Sequence, residues 1–231
     1  MFAVTIDSRS YPLFNLSPAL TRIPLLALLL LVIPSAHAHP HAWIDLRVAV
    51  VFDETGRITA LRQVWRIDPF YSLVLLEEMA TDAQGNTPEE KLADIGNRMI
   101  ENLTPYQYFT EVSHGGQRLQ GFTVRDHGLV NAAGRLELGF TLVLPEPVNP
   151  ETGPLSYAVF DPSYYIEILH DPDATVALEG ASERCGLQIR QPRPDPVIVA
   201  RAAALDASQT GEPDLGRHFT EHGEVRCDPA P

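Results

Sequence analysis

Between Ala42 and Phe52 the chain alternates apolar and polar positions, with Ile44, Leu46, Val48 and Val50 on one face and Trp43, Asp45, Arg47 and Ala49 on the other. A period of two is the mark of a half-buried strand. The turn-forming run Asp53-Glu54-Thr55-Gly56-Arg57 follows and Ile58 to Ile67 resumes the strand pattern, so a β-hairpin opens the domain. Asp68 then stands at a helix N-cap position with Pro69 at N1, and Phe70 to Met79 is helical in composition. A second helix starts at Thr87-Pro88-Glu89-Glu90, a cap, a proline and acids in the first turn, and runs to about Leu103 with Gly96 as a local weak point. From Tyr106 the pattern returns to strands: Tyr106 to Val112, Leu119 to Arg125, Arg135 to Leu144, Leu155 to Phe160, Tyr164 to Leu169 and Leu187 to Arg190. Pro192 to Pro196 reads as an irregular connector and Val197 to Leu205 as a short helix. Together these segments predict an α+β fold of predominantly antiparallel, sandwich-like strands, with two helices inserted after the N-terminal hairpin.

Ahead of the hairpin lies an uninterrupted apolar run, Ile23 to Ile33, preceded by Arg22 and followed by Pro34 and Ser35. About 11 helical residues span roughly 16 Å, half of a hydrocarbon core of roughly 30 Å, which is short for a membrane anchor. With Ala36 and Ala38 in A-x-A spacing, the run reads as a secretory signal peptide, residues 1–38, cleaved after Ala38. The expected mature protein is a single exported domain, residues 39–231, located in the periplasm with no stable membrane insertion after cleavage. Cleavage leaves about 193 of the 231 residues, enough for one sizeable domain.

The net charge of −13 with a single lysine, Lys91, repels nucleic acid and anionic lipid and excludes nucleic-acid binding. Both cysteines, Cys185 and Cys227, lie in the exported part, and no CxxC spacing is present. In an oxidising compartment such a pair is most simply a disulfide, here tying an acidic, Pro- and Gly-rich C-terminal tail to the body; a cysteine metal site is the alternative. Closing a loop of about 42 residues stabilises a fold by roughly 4 kcal/mol in the chain-entropy model.

No GxSxG, Walker A, GxGxxG or HExxH motif occurs, and the adjacent Glu77 and Glu78 point in different directions on a helix. The histidines carry more. The stretch SAHAHPHAWID places His37, His39 and His41 two apart; His37 leaves with the leader, whereas His39 and His41 remain at the mature N-terminus. In an extended segment their imidazoles share a face, and Asp45 falls on that face if the strand starts early enough. Two imidazoles and a carboxylate suit nickel, cobalt, zinc or copper rather than magnesium or calcium. The freed amine of His39 adds a donor, but Pro40 has no N–H and so disfavours the square-planar terminal copper chelate. His114 in SHGG and His127 in RDHG are candidate further ligands, with simple solvation in turns as the alternative, and His170 beside Asp171 and Asp173 rates similarly; His218 and His222, four apart, would share a face on a helix, but the stretch also reads as a strand and the pair is weaker.

The segments HPHAWIDLRVAVVFDETGRI, VWRIDPFYS and FDPSYYIEI, followed by a cysteine, LGRHF and VRC, resemble in that order the family called domain of unknown function 1007. The resemblance covers essentially the whole mature chain. It implies an exported bacterial protein of the kind labelled a periplasmic component of an uncharacterised ABC-type transport system and associated with nickel/cobalt-type permeases, hence metal handling. It draws attention to His39, His41, Asp45, Trp65, Asp68, Tyr71, Asp161, Tyr164 and Tyr165.

Two readings of different class follow. In the first the protein is a divalent-metal-binding accessory for a membrane permease or ABC-type transporter, with His39 and His41 as primary ligands and Asp45 or Asp68 as a ligand or as an acceptor orienting an imidazole. In the second it is a non-catalytic envelope interaction module, in which Trp43, Trp65, Tyr164 and Tyr165 form a core or a partner surface. A metal-dependent oxidase using the terminal histidine as a brace is the enzymatic alternative; the expectation is a protein that is not an enzyme.

Overall fold

The opening hairpin consists of β1 (Ala42–Phe52) and β2 (Ile58–Ile67), paired antiparallel from Ile44 opposite Ile67 to Phe52 opposite Ile58. Its turn is built by one side chain: Asp53 Oδ1 accepts hydrogen bonds from the Thr55 amide at 2.8 Å and the Arg57 amide at 3.0 Å. The computed structural model describes residues 40–81, 86–205, 209 and 211–229; the expected leader and cleavage site, with His37 and His39, lie outside the described residues. The alternation in β1 is realised as expected, with Ile44, Leu46, Val48, Val50 and Phe52 buried and Trp43 half exposed.

After β2 come α1 (Pro69–Thr81), α2 (Pro88–Leu103) and a 3-10 turn over Thr104–Phe109. The start of α2 is a capping box: the Glu90 amide donates to Thr87 Oγ1 at 3.2 Å and the Thr87 amide to Glu90 Oε2 at 2.8 Å. Gly96 has a use beyond weakening the helix. A Cβ there would come within 3.1 Å of the Leu129 Cβ, so its absence lets α2 lie directly on the sheet.

The remaining strands are β3 (Thr110–His114), β4 (Gln117–Arg118), β5 (Thr123–Ala132), β6 (Arg135–Val148), β7 (Leu155–Val159), β8 (Ile166–His170), β9 (Ala177–Glu179), β10 (Cys185–Arg190) and β11 (His222–Cys227), with α3 (Pro196–Ala204) between the last two. They form two sheets. One runs β5-β6-β2-β1-β8, with β9 also on β1; the other runs β10-β11-β7-β3-β4. One apolar core contains side chains of both, Val50, Leu61, Leu138 and Phe140 from the first with Val112, Leu155 and Val225 from the second. The α+β class with mainly antiparallel strands is thus realised, with one addition: β8 and β9 both pair parallel to β1.

The C-terminal segment differs from the expected tail. β11 sits between β10 and β7, inside the second sheet, and Cys185 and Cys227 are directly opposite residues of β10 and β11 joined by the disulfide. The bridge therefore fastens the edge strand β10 to its neighbour. The segment HGEVRC carries one large apolar residue, Val225, too weak an alternation to read as a strand, but its pairing on both sides supplies the order.

Two buried polar chains join the sheets. In the first, Trp65 Nε1 donates to Gln63 Oε1 at 2.9 Å and Gln63 Nε2 to Thr110 Oγ1 at 3.0 Å. In the second, the ring of His170 at the end of β8 lies with Nδ1 2.7 Å from Glu221 Oε2 and Nε2 2.9 Å from the Tyr157 hydroxyl. With Nδ1 donating to the carboxylate, Nε2 of a neutral ring accepts from the tyrosine. The Tyr157 ring crosses Gly223, where a Cβ would meet it at 2.2 Å. Burial pushes Glu221 up, but the hydrogen bonds from the His170 ring and amide and from Gln191 outweigh it, and the net shift is downward from the ordinary 4.5.

A carboxylate held below its unfolded value contributes stability that is present above about pH 4.5 and is lost as pH falls through the lowered folded value. Urea denaturation as a function of pH is expected to show wild type losing stability below about pH 4.5. Glu221→Gln should be less stable near neutrality by about 1–3 kcal/mol and show a shallower acid limb. An acid limb of unchanged slope in the variant would remove this role.

Candidate functional site

The polarity of three strands fixes one corner of the molecule. β1 runs antiparallel to β2 and parallel to β8, so the first residues of β1 lie beside the last of β2 and the first of β8. The His41 amide donates to the Tyr165 carbonyl at 2.9 Å, and the Asp68 amide to the Trp43 carbonyl at 3.0 Å. The His41 imidazole packs against the Tyr165 ring with centroids 4.7 Å apart. The Tyr71 hydroxyl is held above its ordinary value by its hydrogen bond with Tyr165, then by burial and by the charge of Asp68. His41, Tyr165, Tyr71 and Asp68 thus form one connected group drawn from three separate segments.

Asp68 is the most constrained member. It is 3% exposed. Its Oδ1 accepts from the Phe70 amide at 2.8 Å and the Tyr71 amide at 3.0 Å, capping α1 with Pro69 at the first helical position. Its Oδ2 is buried with no hydrogen-bond partner among the described residues. A buried carboxylate oxygen without a donor is costly, and such an atom calls for a donor or a cation.

The loop before β8 holds Tyr165 in place, and Asp161 organises that loop. Its Oδ1 accepts from the Ser163 amide at 2.9 Å and its Oδ2 from the Ile166 amide at 3.0 Å, while the Ser163 hydroxyl donates to the same carboxylate. The backbone then takes Tyr164 through φ 59°, a left-handed conformation that costs a non-glycine residue energy unless its surroundings enforce it. The Tyr164 ring stacks on Phe219 at 4.1 Å and its hydroxyl donates to Glu167 at 3.2 Å; burial pushes that hydroxyl upward. Two successive tyrosines are thereby sent to different places, one to Phe219 and one to His41.

The other candidates are held elsewhere. Asp45 pairs with Arg135 at 2.9 Å, and Arg135 also donates to the carbonyls of Ile67 and Arg66, so the pair staples β1, β2 and β6. Trp65 is a core residue, edge-on to Phe140 and stacked on Phe109. His114, at the end of β3, has Nε2 2.9 Å from the carbonyl of Asn149 in the β6–β7 connection. His127 Nε2 lies 2.9 Å from Asn97 Oδ1, joining β5 to α2. Their placement does not bring the two rings into the His41 group, because each is tied to an asparagine of another segment, His114 to Asn149 and His127 to Asn97. His218 belongs to a 3-10 turn and His222 to β11, so the two do not share a helix face. Among the described residues no three His, Cys, Asp or Glu side chains are grouped as a metal ion would need. Sequence reasoning missed the pairing of His170 with Tyr157 and Glu221. The one signal was a glutamate beside His222 in HFTEH, which says nothing about β8.

The structure defines the class as a two-sheet α+β protein in which strand ends converge on a histidine, a buried carboxylate and two tyrosines. Residues 24–227 match the model of the family described as protein of unknown function (DUF1007), and the chain belongs to that family. An uncharacterized protein of Haemophilus influenzae (strain ATCC 51907 / DSM 11121 / KW20 / Rd) is 27% identical over 196 residues, covering 83% of this chain and 92% of the relative.

Replacing Asp161 by alanine removes the acceptor of the Ser163 and Ile166 amides together. Urea denaturation is expected to show a loss of about 3 kcal/mol, and Asp161→Asn, which keeps one acceptor oxygen, a smaller one. A loss below about 0.5 kcal/mol for the alanine variant, within the range of ordinary surface changes, would show that the loop does not depend on this carboxylate.

Proposed function

We propose that this protein is an exported, non-catalytic metal-binding accessory of the cell envelope, which holds a divalent nickel, cobalt or zinc ion, with copper also compatible, for a membrane permease or ABC-type transporter. The observation that carries the reading is Asp68 Oδ2, buried without a hydrogen-bond partner among the described residues in the same corner as His41. His41 and Asp68 are the ligands the folded body supplies. His39 and the amine freed by cleavage after Ala38 are the donors that the entering chain supplies, two residues ahead of His41. Imidazole, amine and a single carboxylate form a donor set that prefers borderline ions over magnesium or calcium. Tyr71 and Tyr165 hold the imidazole and the helix start in register, the supporting role that groups around metal ligands commonly have. The ion is cargo in this reading.

The test is calorimetric titration of the exported protein, its N-terminus established by mass spectrometry, with nickel, cobalt, zinc and copper. One ion per chain is expected, with affinity reduced at least tenfold in His41→Ala and in Asp68→Asn. Asparagine caps helices as well as aspartate does, so the second variant keeps α1 and removes only the charge. His114→Ala and His127→Ala are expected to bind as wild type. Wild-type affinity in Asp68→Asn, or no binding by the parent protein, would contradict the reading.

A further inference from the structure

We propose that the N-terminal half of α1, with the aromatic side chains beside it, seats the protein on the surface of a neutral lipid bilayer. This inference does not depend on whether a metal binds. From Pro69 to Leu76 the helix carries no charged side chain. Phe70, Leu73 and Val74, spaced to share one face, are 70%, 51% and 44% exposed. A helix that is apolar around its circumference is normally enclosed. Here Ser72 and Met79 are buried and Leu75 and Leu76 pack on the core, while the outward residues stay in solvent.

Three observations select lipid as the occupant. Tyr71 on the same helix and Tyr165, hydrogen-bonded to it, are each about a third exposed, and Trp43, whose carbonyl accepts from the Asp68 amide just ahead of the helix, is half exposed; such rings with a polar handle favour the water–membrane boundary. The charged residues of α1 are Glu77 and Glu78, with no lysine or arginine in the helix, and the chain carries −13 overall, which suits zwitterionic and disfavours anionic headgroups. The 13 residues of α1 span about 20 Å, short of the roughly 30 Å needed to cross, and no described helix is long and apolar enough to do so.

Trp43 provides the readout, since Trp65 is 2% exposed and cannot meet lipid. The full exported protein, with leader removal verified by mass, is mixed with phosphatidylcholine vesicles and with the same vesicles doped with phosphatidylglycerol. Sedimentation with the neutral vesicles and a blue shift of tryptophan emission are expected, with no gain from the anionic lipid. Phe70→Ser/Leu73→Ser is expected to partition at least tenfold less, and Val130→Ser, at an exposed apolar position on β5, as wild type. Both altered sites are exposed, and circular dichroism verifies their folds. Absence of binding to either vesicle, or equal partitioning of the double variant, would overturn the proposal. So would self-association in lipid-free buffer that the double variant abolishes, since the face would then belong to a second copy.

Discussion

The position of β1 between an antiparallel and a parallel neighbour constrains everything else of functional interest. Antiparallel pairing with β2 brings the start of β1 to the end of β2, where Asp68 caps α1; parallel pairing with β8 brings the same residues to the start of β8, where Tyr165 follows the Asp161 loop. Neither pairing alone assembles the corner. Strand register is specified where one face is buried, because a slip by one residue would turn Ile44, Leu46, Val48 and Val50 to solvent. The apolar core thus sets the polar corner's geometry at a distance.

Polar groups inside the core extend this control to the second sheet. Gln63 and Trp65 on β2 reach Thr110 on β3, and His170 at the end of β8 reaches Tyr157 on β7 and Glu221 before β11. Fully partnered buried networks favour one arrangement of two sheets over sliding alternatives that would leave donors unsatisfied. The residues of FDPSYYIEI fit the same logic: Asp161 spends its acceptors on the loop, Tyr164 anchors that loop to Phe219, and Tyr165 faces His41.

Local features were legible in the sequence because local physics produces them. The alternation of Ala42 to Phe52, the Asp68-Pro69 helix start, the Thr87-Pro88 helix start and the cysteine pair all stand in the structure as the residues indicate. The parallel pairing of β8 and the interior position of β11 depend on partners more than 60 residues away, and a short segment such as HGEVRC carries no sign of them. The histidines belong with the second group. His41 and Asp68 are linked through neighbours that only topology supplies, and His114 and His127, equal to them as sequence candidates, are held by Asn149 and Asn97, 35 and 30 residues away in the chain. Composition identified α1 as a helix, but with one short charged stretch it offered no polar face from which to foresee that its apolar side stays outside.

The most direct measurement is an anomalous difference map collected at the nickel edge on crystals of the protein beginning at His39 and grown with nickel. A single peak within bonding distance of a His41 ring nitrogen and Asp68 Oδ2, joined by donors from the chain ahead of Pro40, is the expected result. A well-occupied peak at His114, His127 or another surface group, with none at His41 and Asp68, would contradict a metal site built by the convergence of these strand ends.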